Sequence, residues 1–581
     1  MKNILILIPV SFICAAFIYV NNSSKSTISY QKRQDVLAYK ARYAFGCSPN
    51  LASIDFNDEA NLIPLLDGWG KYRMSVTVSN DSANIYFQQG INMYYGFHII
   101  EAMASFQKAT KFDENFAMGY WGKALAYGPN INDDVYNVAP EAIASIQKAK
   151  SLSINCTPVE KSLINAMLLR YSSDTTLARK DLDQGYADAM KKVSADFPNN
   201  ADAATLYADA LMVQHPWDLY DRFYDPKPWT PSIVAVLEKL IKQFPENPGA
   251  GHYYIHAIEG SKHPEKGLEV ADRLGALMPG LSHLVHMPSH IYIRSGHYNK
   301  GVEVNAAAVK DYDKYLSKYP PTVNNSALYL VHNLHMAAAC ANMDGQYTKA
   351  LKLSFDTQKS FDSSWLDLGD YLGMFSQYVF MTPYFTLIRF GQFDAVLNAP
   401  AIPDSRVYAN AIWHFARGIA YARKHQLEEA NMEWQKMQLY QLNPQMQLGS
   451  TSRNAGKVSL KIASKILQGV IAEEKNQLPL SVALLKEAVY MEDGMIYNEP
   501  KDWLLPARHY LAHVLLKGKQ YTEAEKIYKE DLLVNPNNVW SIIDLEKSLL
   551  KQSKSKEAKA VQQQLKKAMA RADMKISSSV F

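Results

Sequence analysis

Cysteine is almost absent from this chain: there are four in 581 residues, and Cys14 lies inside an N-terminal apolar run, leaving Cys47, Cys156 and Cys340. So few cannot build a disulfide framework at this length, so packing must hold the fold. A surplus of one charge is missing too. Lys and Arg number 61 against 57 Asp and Glu, a formal net charge of +4; this leaves no global basic footprint, and nucleic acid is not an expected partner. After Val20 no uncharged apolar stretch approaches membrane-spanning length. No G-x-S-x-G, P-loop or G-x-G-x-x-G pattern occurs, and HYYIH at residues 252–256 lacks the glutamate of H-E-x-x-H, which excludes the helical zinc-protease arrangement. HYYIH, HLVH and VHNLH look like the histidine boxes of membrane desaturases, but those need several spanning helices that this chain lacks.

What is present begins with a leader. Lys2 and Asn3 precede an apolar run from Ile4 to Val20, followed by the polar stretch NNSSKSTISYQKRQ. This outlines residues 1–26 as a signal peptide or an N-terminal anchor, and an exported chain that is periplasmic or membrane-anchored facing outside the cytoplasm. Membrane contact is then expected only through that segment. Cys14 follows Ser11, Phe12 and Ile13, which is a poor context for lipidation because a small residue is wanted just before the cysteine. Hydrophobic residues make up 48% of the chain and charged residues 20%, enough apolar material for several cores or one continuous repeat array.

A 34-residue helix-turn-helix frame fits most of the sequence beyond Ala83. It asks for small residues at positions 8 and 20, where two helices approach, and large ones near 11 and 24, which fill the groove between hairpins. From Leu505, Ala512, Leu515, Ala524, Tyr528 and Pro536 take positions 8, 11, 20, 24 and 32. From Ala411, Gly418, Tyr421, Ala430 and Trp434 take 8, 11, 20 and 24; from Ala83, Gly90, Ala102, Phe106 and Ala109 take 8, 20, 24 and 27. Looser copies start near Ala117, Ala201, Pro248, Ser282, Val331, Gln377, Ile462 and Val539, with residues 151–200 and 215–231 as off-frame inserts. The expected fold is an all-α solenoid of stacked helical hairpins over residues 83–581, preceded by an N-terminal extension at 27–82, with a histidine-rich region at 248–343.

The runs YGFHIIEAMASFQKATKFDENFAMGYWGKALAYGPNIN, NPGAGHYYIHAIEGSKHPEKGLEVADRL, PGLSHLVHMPSHIYIRSGHYNKGVEVNAAAVKDYDKY, VHNLH and YNEPKDWLLPARHYLAHVLL resemble a group of exported bacterial tetratricopeptide-repeat proteins, over most of residues 65–550. The resemblance implies the solenoid and no particular activity, so function has to come from the site.

Nine of the 15 histidines fall within 84 residues, from His252 to His335, where an even spread would put about two. In the repeat frame, row 5 holds His252, His286 and His335, row 2 holds His283 and His332, and row 9 holds His256 and His290 together with Asp209. Glu259 stands at position 12. These positions are three or four apart and share the face of the first helix that lines the concave groove. Neutral imidazole is the commonest ligand for Zn, Fe and Cu, and charged imidazoles would repel one another, so one reading is a transition-metal site. Asp209 or Glu259 would then be a carboxylate ligand or base. A buried polar network, and an organic-ligand or acid–base site, are the other readings of the same cluster. His263 and His297 fall in helix-connecting turns and are expected to face solvent. Cys340 reads as a small buried apolar residue.

Tyr253, Tyr254 and Tyr292 read either as inter-helix core or as a stacking surface in the groove. The stretch Lys551–Lys575, with eight basic residues against Glu557 and Asp573, reads as a solvated capping helix. Two functions follow. One is an envelope scaffold whose groove binds a protein, peptide or small molecule beside a metal; the other is a metal-dependent hydrolase or oxidoreductase.

Overall fold

A computed structural model describes residues 56–132, 140–319, 327–451 and 453–581. The apolar run at 4–20, Cys14 and Cys47 lie outside the described residues. Within them the protein is all-α, with helices that pair consecutively along the chain and only two isolated β-bridges. No described helix is long and apolar enough to cross a membrane.

The small-and-large code sets the spacing of the hairpins. Phe106, in the helix Ile99–Phe112, is wedged between Gly90 and Gly122: a Cβ on Gly90 would lie 2.6 Å from its ring, and one on Gly122 2.5 Å. Gly418 takes Leu467 in the same way, at 2.5 Å. Turns between paired helices are equally regular. The residue two before each second helix adopts positive φ in repeat after repeat, at Gly296, Gly345, Gly391, His425, Asn476, Lys519 and Ser553.

Residues 151–200 correct the sequence reading. They are no insert but a further hairpin, Pro158–Arg170 packed on Arg179–Asp196, which continues the stack. A linker of eight residues, 171–178, joins these helices, where the turn between Tyr95 and Ile99 takes three, so the second helix falls out of the 34-residue frame. Residues 215–229 do form a loop ahead of the helix Thr230–Gln243, so the expected insert ends two residues earlier than 231.

The superhelix winds tightly enough for distant repeats to touch. Tyr315 donates to Glu101 at 2.6 Å, Tyr329 donates to the Phe97 carbonyl at 3.0 Å, and Arg294 donates to the Val534 carbonyl at 2.9 Å. Arg571 grips Asp344 through two bonds of 2.6 and 2.7 Å, so the basic C-terminal stretch is not purely a solvated cap. The tail lies against the last repeats: Asp544 accepts from the Ser579 amide at 2.7 Å and the Ser578 hydroxyl at 2.9 Å, while Ile576 and Val580 are buried.

Two stability outcomes follow. Gly122→Val should lower stability by about 1–3 kcal/mol through overpacking against Phe106. By contrast Gly185→Ala, where an added Cβ meets nothing within 4 Å, should raise it by about 0.5–1 kcal/mol; thermal melts of both variants check the pair. Burial alone would raise the Asp544 carboxyl, but His513 and Lys547 outweigh it and hold it well below the usual range. A depressed carboxylate stabilises above its unfolded value of about 3.9 and stops doing so as pH falls below that. The melting difference between wild type and Asp544→Asn should therefore be largest near neutrality and shrink between about pH 4 and 2.

Candidate metal centre

Six of the seven predicted histidines form two groups of three, His252 with His256 and His283, and His286 with His290 and His332. In each group one nitrogen from every ring lies within 4.8 Å of the others. The grouping crosses the predicted rows. Positions 5 and 9 of one first helix, one turn apart, meet position 2 of the next repeat's first helix. The helix Pro248–Ile258 gives the first pair, and Ser282–His286 supplies His283. His286 and His290 straddle Pro288, and His332 ends a π-helical turn, Ala327–His332.

Second, the histidines do not line an open groove. His252, His256, His283, His286 and His290 are buried, because the winding of the superhelix packs N-terminal and C-terminal repeats over them, and His332 is partly buried. Phe97 covers the first group, its ring centroid 4.3 Å from that of His252 and 5.7 Å from those of His256 and His283. Trp217, from the 215–229 loop, stands edge-on to His256 at 5.3 Å. Both residues have a φ of 56°, a left-handed conformation that costs a bulky residue about 1–2 kcal/mol.

The ring nitrogens are arranged front and back. His252 Nδ1 lies 2.6 Å from the Tyr95 carbonyl, which can only accept, so this nitrogen carries the proton and Nε2 is bare. His286 Nδ1 lies 2.6 Å from Asn305 Oδ1, and that amide is fixed because its Nδ2 donates to the Gly301 carbonyl at 2.7 Å. Glu259 serves both groups: its Oε1 accepts from His256 Nδ1 at 3.1 Å, and its Oε2 lies 2.5 Å from His290 Nδ1, at an angle outside hydrogen-bonding geometry. With the back nitrogens held, the Nε2 atoms converge. His252 and His256 are 3.1 Å apart, His286 and His290 2.8 Å, and His286 and His332 3.1 Å. Nitrogens around a tetrahedral zinc would stand about 3.3 Å apart.

Charge follows the same layout. Burial pushes His252, His283, His286 and His332 far below the ordinary imidazole range, reinforced by neighbouring imidazoles, so these rings are neutral. Burial also wins at His256, against the pull of Glu259. At His290 burial is the largest influence, yet Glu259 overcomes it and raises the ring. Glu259 itself would be raised by burial, but His290 and His256 hold it down to about 2. His283 has neither ring nitrogen hydrogen-bonded although only 2% of the residue is exposed; an orphaned buried polar group costs about 1–3 kcal/mol.

His335 and Asp209 join neither group. His335 sits ring-to-ring with Tyr378 at 5.2 Å. Asp209 accepts from Tyr94 at 3.0 Å, and burial pushes it up to about 6 against the pull of Arg170. His263 and His297 are both exposed, as expected of turns, and His297 lies beside Tyr292. Tyr253, Tyr254 and Tyr292 are buried core, and Cys340 is buried against Gly301. Sequence reading missed His98, which stacks on Tyr329 at 4.2 Å near His283, with burial pushing it to about 3. Its only signal was a place within the quoted run YGFHIIEAMA. Glu499 was missed as well; burial raises it to about 7, beside His290 and Arg294.

No family model matches the chain, and no curated protein does. Among solved structures the chain is similar to the human IFIT1 dimer with m7Gppp-AAAA, at 12% identity and a TM-score of 0.31, over 89% of this chain and 100% of that one. It is also similar to yeast Tom70, at 11% and 0.27 over 85% and 91%, and to the APC/C hetero-tetramer Cut9-Hcn1, at 12% and 0.26 over 86% and 74%. The solenoid stands on the helix pairing and small-residue contacts described above.

Because Glu259 orients one imidazole of each group, Glu259→Gln should weaken metal binding at both together, by about 10–100-fold. Competitive titration against a chromophoric chelator checks this; weakening of one class of site alone would contradict the shared role.

Proposed function

We propose that the protein is a metal-binding solenoid that holds two transition-metal ions, one per histidine triad, with zinc, iron or copper as the candidate metals. The observation that carries this reading is the pair of bare Nε2 atoms on His252 and His256, 3.1 Å apart and beside the unpartnered ring of His283. Two lone pairs facing each other in a buried site repel, and a cation between them removes the repulsion while supplying His283 with a partner. In the second triad a raised His290 can keep a proton facing His286, which a metal ion would displace.

Three nitrogen ligands also favour a second reading, a metal-dependent hydrolase or oxidoreductase, because catalytic sites keep a position open where structural sites close with four ligands. In such a site the metal supplies Lewis acidity. This chain's own contribution would be Glu259, fixing the orientation of His256 and His290, and Glu499, whose value of about 7 suits proton exchange near neutral pH. Phe97 and Trp217 would keep water from the first triad. Export to the cell envelope belongs to the proposal on the strength of the 4–20 run, as does a peptide or small-molecule ligand for the solenoid.

Elemental analysis of protein purified without chelator or affinity metal should give close to two ions per chain. Replacing His256 and His290 together by Ala should remove most of that metal, whereas replacing the exposed His263 and His425 together should remove none. His335→Ala should also leave the content intact. Equal metal in the two double variants, or a folded wild type free of metal, would falsify the reading.

A further inference from the structure

Next to the histidine repeats, the superhelix leaves a partly open cleft, about 590 Å³ of atom-free space that includes open solvent, between residues 293–389 and 499–535. Its walls include three cationic side chains, Arg294, Arg389 and Lys501, and one acid, Glu499, set among apolar groups such as Phe385 and Trp503. Arg294 and Arg389 are only 5% and 6% exposed. Buried arginines are normally paired with a carboxylate. Here no carboxylate oxygen of the described residues lies within 4 Å of any of the three cations.

Their bonds go to neutral groups. Arg294 donates to the carbonyls of Glu259, Ser261 and Val534, at 3.2, 3.1 and 2.9 Å. Arg389 donates through one Nη to the Leu504 carbonyl at 2.6 Å and lies over the Trp540 ring at 5.3 Å. Lys501 donates to Asn535 Oδ1 at 3.1 Å. The acids nearby are engaged by other partners. Asp531 is taken up by His509, Ser541 and Asn538, Glu492 accepts from the Ala507 amide at 2.7 Å, and Glu499 accepts from the Tyr497 hydroxyl. Burial lowers Arg389 to about 10, the mark of a guanidinium short of a counter-charge.

We propose that this cavity binds a small organic anion, a carboxylate or phosphate ester with an apolar body, its charged end among Arg389, Lys501 and Arg294 and its body against Phe385 and Trp503. Guanidinium groups suit both anionic heads, and the apolar walls exclude a bare inorganic ion as the best fit. The site stands on its own residues and does not depend on metal in the triads.

The test is a ligand-observed NMR titration of the full chain, with chelator present so that binding to a metal is not counted, using phenylpropionate, phenyl phosphate and the uncharged phenylpropionamide. At least one anion should bind, about tenfold or more tighter than the amide, and whichever binds names the head group. Lys501→Met and Arg389→Gln should each weaken it by about tenfold. Lys501 is only partly buried, so Lys501→Met keeps the test valid if Arg389→Gln fails to fold. Binding of neither anion, equal binding of the amide, or wild-type affinity in a folded Lys501→Met variant would each overturn the proposal.

Discussion

Every imidazole in a closed interior has two nitrogens to satisfy, and the centre of this molecule is organised around that demand. Backbone and side-chain acceptors behind the rings, the Tyr95 carbonyl, Asn305 and Glu259, take the Nδ1 protons. The Nε2 atoms are thereby left pointing at one another, which is unfavourable for lone pairs and favourable for a shared cation. Glu259 is the economical part of this arrangement, since one carboxylate faces a ring of each triad and sets the charge balance of both. Removing water from that carboxylate is costly alone and is offset only by the two imidazoles it touches.

The repeat register explains why there are two triads rather than one or three. The rule is positions 5 and 9 of one repeat plus position 2 of the next. His335 satisfies position 5 of the following repeat, but position 9 there is Ala339 and position 2 of the repeat after it is Tyr378, whose ring contacts His335 instead. On the other side Asp209 holds position 9, yet Thr205 and Gly249 fill the two remaining places. The site is thus bounded by substitutions at its own periodic positions, while the backbone pattern continues on both sides.

Much of the fold was legible because close helix approach needs glycine or alanine at fixed spacing. Gly90 and Gly418, read at position 8 of their repeats, both prove to be contact points for a large side chain, as does Gly122, which the frame did not single out. The hairpin at 158–196 escaped the frame because a longer linker broke the phase, although its helices obey the same packing. Histidine positions likewise gave the right helix face, but the partners across helices depend on how neighbouring helices are offset, and spacing within one helix does not encode that. Nor could a linear reading see that repeats around 100 and 500 would wind over the cluster, which is why the buried His98 and Glu499 were missed and the expected open groove is filled.

Departures from regular geometry gather at the triads. At the turn where other repeats place glycine, asparagine, lysine, histidine or serine in the left-handed conformation, the first hairpin places Phe97, whose ring packs on three histidines. Trp217 adopts the same strained conformation in a loop that stands outside the frame. Pro288 interrupts the helix between His286 and His290, and a π-turn delivers His332. A proline also opens the helix Thr382–Arg389, away from the triads, but among the described residues the neighbouring repeats have neither a phenylalanine at that turn nor a π-turn, and π-turns and strained backbones collect where side chains must be aimed. Four separate irregularities converging on six imidazoles mark this region as selected for the placement of its rings, over and above the stability of the stack.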